Sequence, residues 1–166
     1  MLRIAFYFNH YNTLGHSTRV FSLVKGLKEY FKKNIEIIIL QGGKKQFIFP
    51  FNQYSHLYIL PYSIDKKGLF IEENVRIYKK IISSGKMDKM LKERLSFIKN
   101  ILNKFKPNIF ITEYFPFGQE FWTFELPYVL RYLKDNFSCK IVGSCGYLSC
   151  IEHTYNYIKE FYEILL

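Results

Sequence analysis

The stretch 9–19, NHYNTLGHSTR, places two histidines, two asparagines and an arginine within one short segment. It follows an apolar run and precedes an amphipathic one, so we expect a turn between a strand and a helix. An imidazole at a helix start can accept a proton from a hydroxyl, because imidazole gains and loses a proton near neutral pH. The backbone N–H groups exposed there also favour an anionic ligand. These features make His16 a candidate catalytic base.

Three further residues could bind a ligand beside His16. Gly15 allows a close approach of the backbone, and Asn12 adds a polar side chain. Arg19, about one helical turn further on, could hold a phosphate or pair with a carboxylate such as Glu113. The alternative is a histidine that bonds to a loop carbonyl beside an arginine on a solvated face. The pattern alone favours neither interpretation.

Polar residues and glycines also follow the other predicted strands. Ligands of open α/β sheets bind outside the carboxyl ends of the strands, where the loops converge. Glu113, after strand four, is therefore a second candidate catalytic residue. The same rule adds these substrate-binding candidates: Gly42 and Gly43 after strand two, Phe117 and Gly118 after strand four, and Ser144 after strand five.

Apolar runs and helical spacing alternate along the chain. Buried strands are predicted at 2–8, 35–40, 56–60, 109–113 and 140–143, with Gly42-Gly43 ending the second and Pro61 the third. Helices are predicted at 17–31, in two parts of the lysine-rich segment that break at 83–85, at 121–133 and at 151–166. Pro127 either kinks the helix at 121–133 or lies in a first turn. The alternation predicts an α/β fold with a doubly wound, mostly parallel Rossmann-like sheet and helices on both faces.

The length and the charge of the chain limit the class of protein to which it can belong. The 166 residues are the size of one domain, and 24 Lys and Arg against 14 acids give a net charge of +10. This surplus predicts attraction to phosphates, nucleic acid or an acidic membrane, unless the lysines only solvate helices. The 3 cysteines are odd in number and lie close together near the end, so no disulfide framework is expected, and they lack CxxC spacing, so no zinc site is expected. With no signal-like start and no apolar run near the roughly 20 residues that span a bilayer, we expect a cytoplasmic protein.

Several motifs of known chemistry are missing from the sequence. Neither GxGxxG nor GxxxxGK[ST] occurs, which argues against a dinucleotide fingerprint and a P-loop. The run 143–146, GSCG, is one residue short of a nucleophile elbow, so a hydrolase built on Cys145 and His153 stays open beside a simple buried cysteine. The common RNA-binding motifs are also missing, which makes a basic nucleic-acid-binding protein the least favoured function.

The first turn, Asn12-x-x-Gly15-His16-x-x-Arg19 after an apolar strand, resembles the start of predicted glycosyltransferases with the GT-B fold. These enzymes are related to the N-acetylglucosaminyltransferase of peptidoglycan synthesis, whose first turn is likewise glycine-rich and ends in Gly-His. Further matches follow in the family's order: the glycine pair at 42–43, LP at 60–61, EYFPFG at 113–118 and FEL at 124–126. The resemblance covers about residues 3–144.

The resemblance implies an active site in the cleft between two Rossmann-like domains. Residues 1–166 would form one of them, the acceptor-side half, and would need a donor-binding domain or subunit. The enzyme would transfer a sugar from a nucleotide-sugar donor to a hydroxyl, with no metal or other cofactor. His16 would lie near the donor diphosphate or the acceptor hydroxyl, and Glu113 with Phe117 and Gly118 would line the acceptor pocket. The basic, aromatic-rich composition would suit a lipid-linked acceptor and peripheral contact with an anionic membrane on its cytoplasmic face.

Two positions depart from the family pattern. Gln119 stands where the family commonly has arginine, and Cys145-Gly146-Tyr147 follow Ser144 where it tends to have Ser-x-Arg-Asp. Both departures remove charge that could position an anionic substrate. A divergent enzyme, half of a split transferase, and a non-catalytic binding module or truncated remnant are all compatible with this pattern. The predicted apolar helix at the end would suit a docked partner or a longer chain.

Overall fold

Five strands and three helices build the part of the chain that the computed structural model describes, residues 1–10, 14–43, 47–61, 89–115 and 125–144. The strands are β1 (Leu2–His10), β2 (Ile35–Gly43), β3 (His56–Ile59), β4 (Ile109–Glu113) and β5 (Lys140–Ser144). The helices are α1 (Gly15–Phe31), α2 (Lys89–Phe105) and α3 (Leu126–Asn136), with short 3-10 turns at Lys32–Asn34 and Phe51–Gln53. None of these helices has the length and apolar character needed to cross a bilayer.

All five strands run parallel in the order β3-β2-β1-β4-β5. The chain builds the sheet outward from β1 to β3 and then returns to the other side of β1 with β4 and β5. This order confirms the predicted doubly wound α/β fold. It also places the switch point, where such folds bind ligands, between the carboxyl ends of β1 and β4.

Two apolar clusters cover the two faces of the sheet. Successive strand side chains point to opposite faces, so alternate residues of β1 enter different clusters. Phe6 and Phe8 pack against α1, whereas Ala5 and Tyr7 pack against α2 and α3. Burial on both faces explains why β1 and β2 read as continuous apolar runs, whereas β3 and β5 at the two edges of the sheet are more exposed.

An apolar stripe packs helix α1 on the sheet, and a left-handed residue ends the helix. Val20 and Val24, four residues apart, are buried against the sheet. After Phe31 the chain leaves the helix through Lys32, which has a left-handed φ of 53°. The Lys32 N–H bonds to the carbonyl of Lys28, so one of the last helical carbonyls is satisfied.

Some predicted boundaries are wrong. β2 continues through Gly42 and Gly43, because these glycines pair with Asn9 and His10 of β1 instead of ending the strand. Helix α1 begins at Gly15, two residues before the predicted start. Pro127 lies in the first turn of α3, where its missing N–H costs no helical hydrogen bond, and it does not kink the helix. The second predicted helix of the lysine-rich segment is observed as α2, whereas the part of that segment before residue 89, with the predicted break at 83–85, lies outside the described residues. Residues 121–124 and the predicted helix at 151–166 also lie outside them.

Gly42 has no room for a side chain. A Cβ built there would overlap Asn9 Oδ1 and would lie 3.2 Å from Arg94 Nη2. The glycine therefore lets the Asn9 side chain lie across β2, which is a structural reason for a residue that the sequence analysis assigned to substrate binding.

We predict that Gly42→Ala lowers the free energy of unfolding by about 1–3 kcal/mol, as overpacking does in other buried sites. Urea unfolding measures the change, and Gly26→Ala is the control, because no atom lies within 4 Å of a Cβ at that exposed helical position. In an Asn9→Ala background the cost of Gly42→Ala should shrink. An equal cost in both backgrounds would show that Asn9 is not what excludes the methyl group.

Candidate functional site

His16, Arg19 and Glu113 meet at the switch point of the sheet. Glu113 is the last residue of β4, and the other two lie in the first turns of α1, which follows the neighbouring β1. His16 Nδ1 lies 3.5 Å from Glu113 Oε1, and Arg19 Nε lies 3.4 Å from the same oxygen. The structure thus brings together three residues that stand 97 positions apart at most.

The Glu113 carboxylate is more deeply buried than its two partners. The Glu113 side chain is 3% exposed, whereas those of His16 and Arg19 are 22% and 29% exposed. Neither Glu113 oxygen has a hydrogen bond within the described part of the chain. Taking a carboxylate out of water costs on the order of several kcal/mol unless opposite charge compensates, and Arg19 supplies that charge. A ligand would therefore meet His16 and Arg19, and Glu113 would act on it through them.

Tyr114, which the sequence analysis did not single out, completes the arrangement. Its ring lies edge-on to the His16 imidazole at a centroid distance of 5.0 Å and an interplanar angle of 88°. The Arg19 guanidinium carbon lies 5.5 Å from the centre of the same ring. One aromatic side chain thus supports both groups that reach solvent, and its place directly after the candidate carboxylate was the available sequence signal.

The backbone of Tyr114 is unusual. Its φ of 64° lies in the left-handed region, which costs a non-glycine residue of order 1 kcal/mol or more and is frequent at functional sites. Two contacts hold the turn: the Tyr114 N–H bonds to the Ser144 carbonyl at 2.8 Å, and Thr112 Oγ1 donates to the Phe115 carbonyl at 2.9 Å. Ser144, a predicted substrate-binding residue, therefore supports the site through its backbone.

The first turn of α1 is held by contacts other than a side-chain cap. Leu14, the N-cap residue, makes no capping hydrogen bond with its side chain. Instead Ser17 Oγ lies 2.9 Å from His10 Nδ1, and both residues are buried. Thr18 Oγ1 also donates to the Leu14 carbonyl at 2.8 Å. These bonds fix the turn that carries His16 against the end of β1, so His10 has a positioning role within the protein.

The structure describes only some of the remaining predicted site residues, and their ligand roles stay predictions. Gly15 is exposed at the start of α1, and no atom lies within 4 Å of a Cβ built there. Gly43 has a φ of 75°, which explains a glycine at the end of β2 without a ligand. Asn12, Phe117 and Gly118 lie outside the described residues. Among the described residues, no group of three or more His, Cys, Asp or Glu side chains could hold a metal ion.

A second charged cluster lies at the same edge, on the face covered by α2 and α3. Arg94 and Glu125 are 1% and 0% exposed, and Arg94 Nε donates to Glu125 Oε1 at 3.1 Å while Nη2 contacts the same oxygen. Tyr7 Oη donates to this oxygen at 2.5 Å, and Arg94 Nη1 donates to the Pro61 carbonyl at 2.8 Å. Asn9 Nδ2 lies 3.4 Å from Tyr7 Oη. The cluster joins β1, the end of β3, α2 and the start of α3.

Sequence reasoning missed Arg94, although a signal was available. It is the single arginine among four lysines in α2 and shares the helix face of the buried Leu91, Leu95 and Ile98. A planar guanidinium suits a buried carboxylate better than an ammonium does. An arginine on an apolar face therefore predicts a buried acid, but the pattern does not name which one.

Comparison with known proteins bears on the fold. No protein-family model matches the chain, and no curated protein matches it. UGT2 of Phytolacca americana, in a structure complexed with UDP-2fluoro-glucose and pterostilbene, matches with a TM-score of 0.50 and 13% identity over 88% of this chain and 30% of that one. Its apo structure matches with a TM-score of 0.49 over the same shares at 13% identity. CalG4, the calicheamicin glycosyltransferase, matches with a TM-score of 0.48 and 14% identity over 98% of this chain and 36% of its own.

At such identities the likeness shows the fold alone. The chain has the Rossmann-like α/β fold that occurs in GT-B glycosyltransferases. It spans about a third of the length of the matching chains.

The buried Tyr7 hydroxyl makes stability sensitive to alkaline pH. Burial, and next the Glu125 carboxylate, raise the pKa of Tyr7 well above its ordinary value of 10.0. The folded protein therefore keeps the proton above pH 10, whereas the unfolded chain loses it. Since the folded state then binds more protons, the stabilisation is complete below pH 10 and is lost as pH rises beyond it.

We predict that Tyr7→Phe lowers the free energy of unfolding at neutral pH by about 1–3 kcal/mol, because a hydrogen bond to a charged partner is removed. The difference from the wild type should shrink as the pH rises above 10, which urea unfolding over a pH series measures. Tyr30→Phe, at a tyrosine that is 81% exposed, is the matched control. A difference that stays constant above pH 10 would show that the hydroxyl ionises as readily in the folded as in the unfolded protein.

Proposed function

We propose that this chain is the acceptor-side domain of a GT-B glycosyltransferase, which transfers a sugar from a nucleotide-sugar donor to a hydroxyl. The observation that carries the proposal is the His16 imidazole, partly exposed at the switch point and backed by the buried Glu113 carboxylate 3.5 Å away. An imidazole oriented by a carboxylate is one arrangement that supports general-base catalysis at a hydroxyl.

In the proposed reaction, His16 accepts the proton of the acceptor hydroxyl. Nδ1 faces Glu113, so the proton goes to Nε2 on the opposite side of the ring. The acceptor oxygen forms a bond to the anomeric carbon as the bond from that carbon to the donor diphosphate breaks. Glu113 stabilises the imidazolium that results, as the carboxylate does in other carboxylate–histidine pairs.

Arg19 has two roles in the proposal. It neutralises Glu113 in the absence of ligand, and its partly exposed guanidinium provides a contact for an anion such as the donor diphosphate. The UGT2 structure that matches this fold contains UDP-2fluoro-glucose, which supports a nucleotide-sugar as co-substrate.

The proposed enzyme needs a donor-binding partner and an acceptor. The chain spans about a third of the matching glycosyltransferase chains, which supports a donor-binding domain or subunit outside it. We also propose that the enzyme is related to the peptidoglycan N-acetylglucosaminyltransferase, that transfer needs no metal, and that the acceptor is lipid-linked at the cytoplasmic face of an anionic membrane. The net charge of +10 supports the last of these.

One observation favours a second candidate, a non-catalytic binding module. Arg19 and His16 contact the same Glu113 oxygen, so the ion pair alone could anchor α1 to β4 with no chemistry at His16. In that case the edge would bind an anionic or hydroxyl-bearing ligand without transferring a sugar.

We predict that His16→Ala lowers kcat by about 100-fold or more in the protein assembled with its donor-binding half, since positioned bases contribute about that much. Release of nucleoside diphosphate from a panel of nucleotide sugars measures the rate. Glu113→Gln should lower kcat with less effect on KM. His56→Ala, an exposed histidine at the start of β3, is the matched control and should keep full activity.

Far-UV circular dichroism and urea unfolding check that each variant is folded. Unchanged turnover in folded His16→Ala would remove His16 from the chemistry. Ligand binding with no transfer by the wild type would favour the binding module.

A further inference from the structure

One glycine inside helix α1 has no explanation within the described part of the chain. Gly26 lies in the interior of this helix of 17 residues, where glycine is among the least favourable residue types. The residue is exposed, and a Cβ built there would have no atom within 4 Å, so nothing described excludes a side chain. A glycine on an open helix surface lets the backbone of another helix come close.

Two large apolar side chains flank this glycine on the outer side of α1. Leu23 is 40% exposed and Tyr30 81% exposed, whereas Val20 and Val24 of the same helix are buried against the sheet. Leu23, Gly26 and Tyr30 follow each other at spacings of three and four residues, so they share one face of the helix. We call these three residues the outer stripe. Such spacing is typical of the seam between two packed helices.

The outer stripe begins beside the candidate site. His16 and Arg19 precede Leu23 at the same alternating spacing of three and four residues, and they lie at the edge of the sheet that carries the site. From there α1 runs back to the opposite edge, because it joins the parallel strands β1 and β2. A molecule on the outer stripe would therefore border the candidate site without occupying it.

A pair of opposite charges lies on the other side of Gly26. Lys25 Nζ is 3.8 Å from Glu29 Oε1, and the two side chains are 47% and 63% exposed. At about 3.6 residues per turn, Lys25 and Glu29 lie to one side of Gly26, and Leu23 and Tyr30 lie to the other. Helix α1 thus presents an apolar side and a charged side, with a glycine between them.

We propose that two copies of this chain pair through the outer stripes of their α1 helices, which run antiparallel and cross at Gly26. A two-fold axis of this kind brings each side of one helix against the same side of the other, and every contact occurs twice. Leu23 then meets Tyr30 of the second copy, because the midpoint of residues 23 and 30 lies next to the crossing. Lys25 meets Glu29 of the second copy for the same reason. A parallel pair would instead place the apolar side of one helix against the charged side of the other.

The pairing goes beyond the proposed function and does not rest on it, because it needs no donor, no acceptor and no transfer. One helix from each copy makes a contact at the low end of interface sizes. We therefore expect a reversible dimer that is half formed at a concentration on the order of 10 µM.

Sedimentation equilibrium of the full chain over a concentration series measures the association. The wild type should show a monomer–dimer equilibrium, and Leu23→Ser/Tyr30→Ser should weaken it at least about tenfold, because the apolar contacts are removed. Gly26→Gln should weaken it as much, because a long side chain holds the two helices apart. Ser96→Gln, at an exposed position of α2, is the matched control and should associate like the wild type.

Urea unfolding at a concentration where the chain is monomeric separates this effect from a folding defect. Gly26→Gln should unfold at an equal or higher urea concentration than the wild type, because glutamine favours a helix more than glycine does. Loss of the dimer in a variant that is at least as stable as the wild type would support the contact at Gly26.

Exchange of the charges tests the antiparallel geometry. Lys25→Glu alone places acids opposite each other, and Glu29→Lys alone places bases opposite each other, so each variant should associate about tenfold more weakly than the wild type. An equimolar mixture of the two variants should recover association, because every acid then faces a base on the other copy. Added salt should weaken the association of the mixture.

Several results would overturn the proposal. A wild type that stays monomeric at about 100 µM would do so. Unchanged association of Leu23→Ser/Tyr30→Ser or of Gly26→Gln would place the contact elsewhere, and a mixture that associates no better than the separate charge variants would exclude the antiparallel pair. A monomeric wild type that binds a donor-binding half through Leu23 and Tyr30 would assign the outer stripe to that half, so this inference would fail while the proposed function stands. Loss of transfer with the dimer intact would leave this inference standing.

Discussion

One buried carboxylate, that of Glu113, organises the candidate site. Its side chain is 3% exposed at the end of a central strand, where a negative charge is stable only if positive groups approach it. Arg19 supplies that positive charge from α1, and His16 approaches the same oxygen, so both contacts tie this helix to the end of β4. Because β1 pairs in parallel with β4, the helix that follows β1 starts close to the end of β4. The left-handed turn at Tyr114 places its aromatic ring against both His16 and Arg19.

A second buried carboxylate at the same edge shows what makes the first one a candidate for function. Glu125 is enclosed by Arg94 and Tyr7, and all three side chains are 0–1% exposed. That cluster has no side that faces solvent, so its contribution is to hold α2 and α3 on the sheet. Glu113 has the same need for compensation, but its partners are 22% and 29% exposed. The difference in exposure of the partners, and not the burial of the acids, separates a structural ion pair from a candidate site.

The sequence predicted the fold, and the edge of the sheet that carries the candidate site, more fully than it predicted which side chains are in contact. Continuous apolar runs marked β1 and β2 because both faces of these strands are buried, and β4 has the predicted bounds. The meeting of His16 with Glu113 followed from the rule that carboxyl ends of parallel strands share an edge. The steric reason for Gly42 had no sequence signal, because its neighbour across the strands, Asn9, is visible only in the register. Its role in substrate binding stays a prediction. The left-handed backbone of Tyr114 has no local signal, since a non-glycine residue adopts it only when distant hydrogen bonds hold it there.

Contacts within the protein orient the side chains of the site. The N-cap residue Leu14 makes no side-chain cap, and within the described part of the chain the His10–Ser17 bond and Glu113 help to align the first turn of α1. An arrangement of this kind lowers the cost of orienting groups at the moment of reaction. Since Arg19 and His16 share one Glu113 oxygen, an anion that draws Arg19 away would leave that oxygen to His16. In the proposed transferase, binding of a diphosphate would then strengthen the pairing that the base needs, because both events act on the same carboxylate.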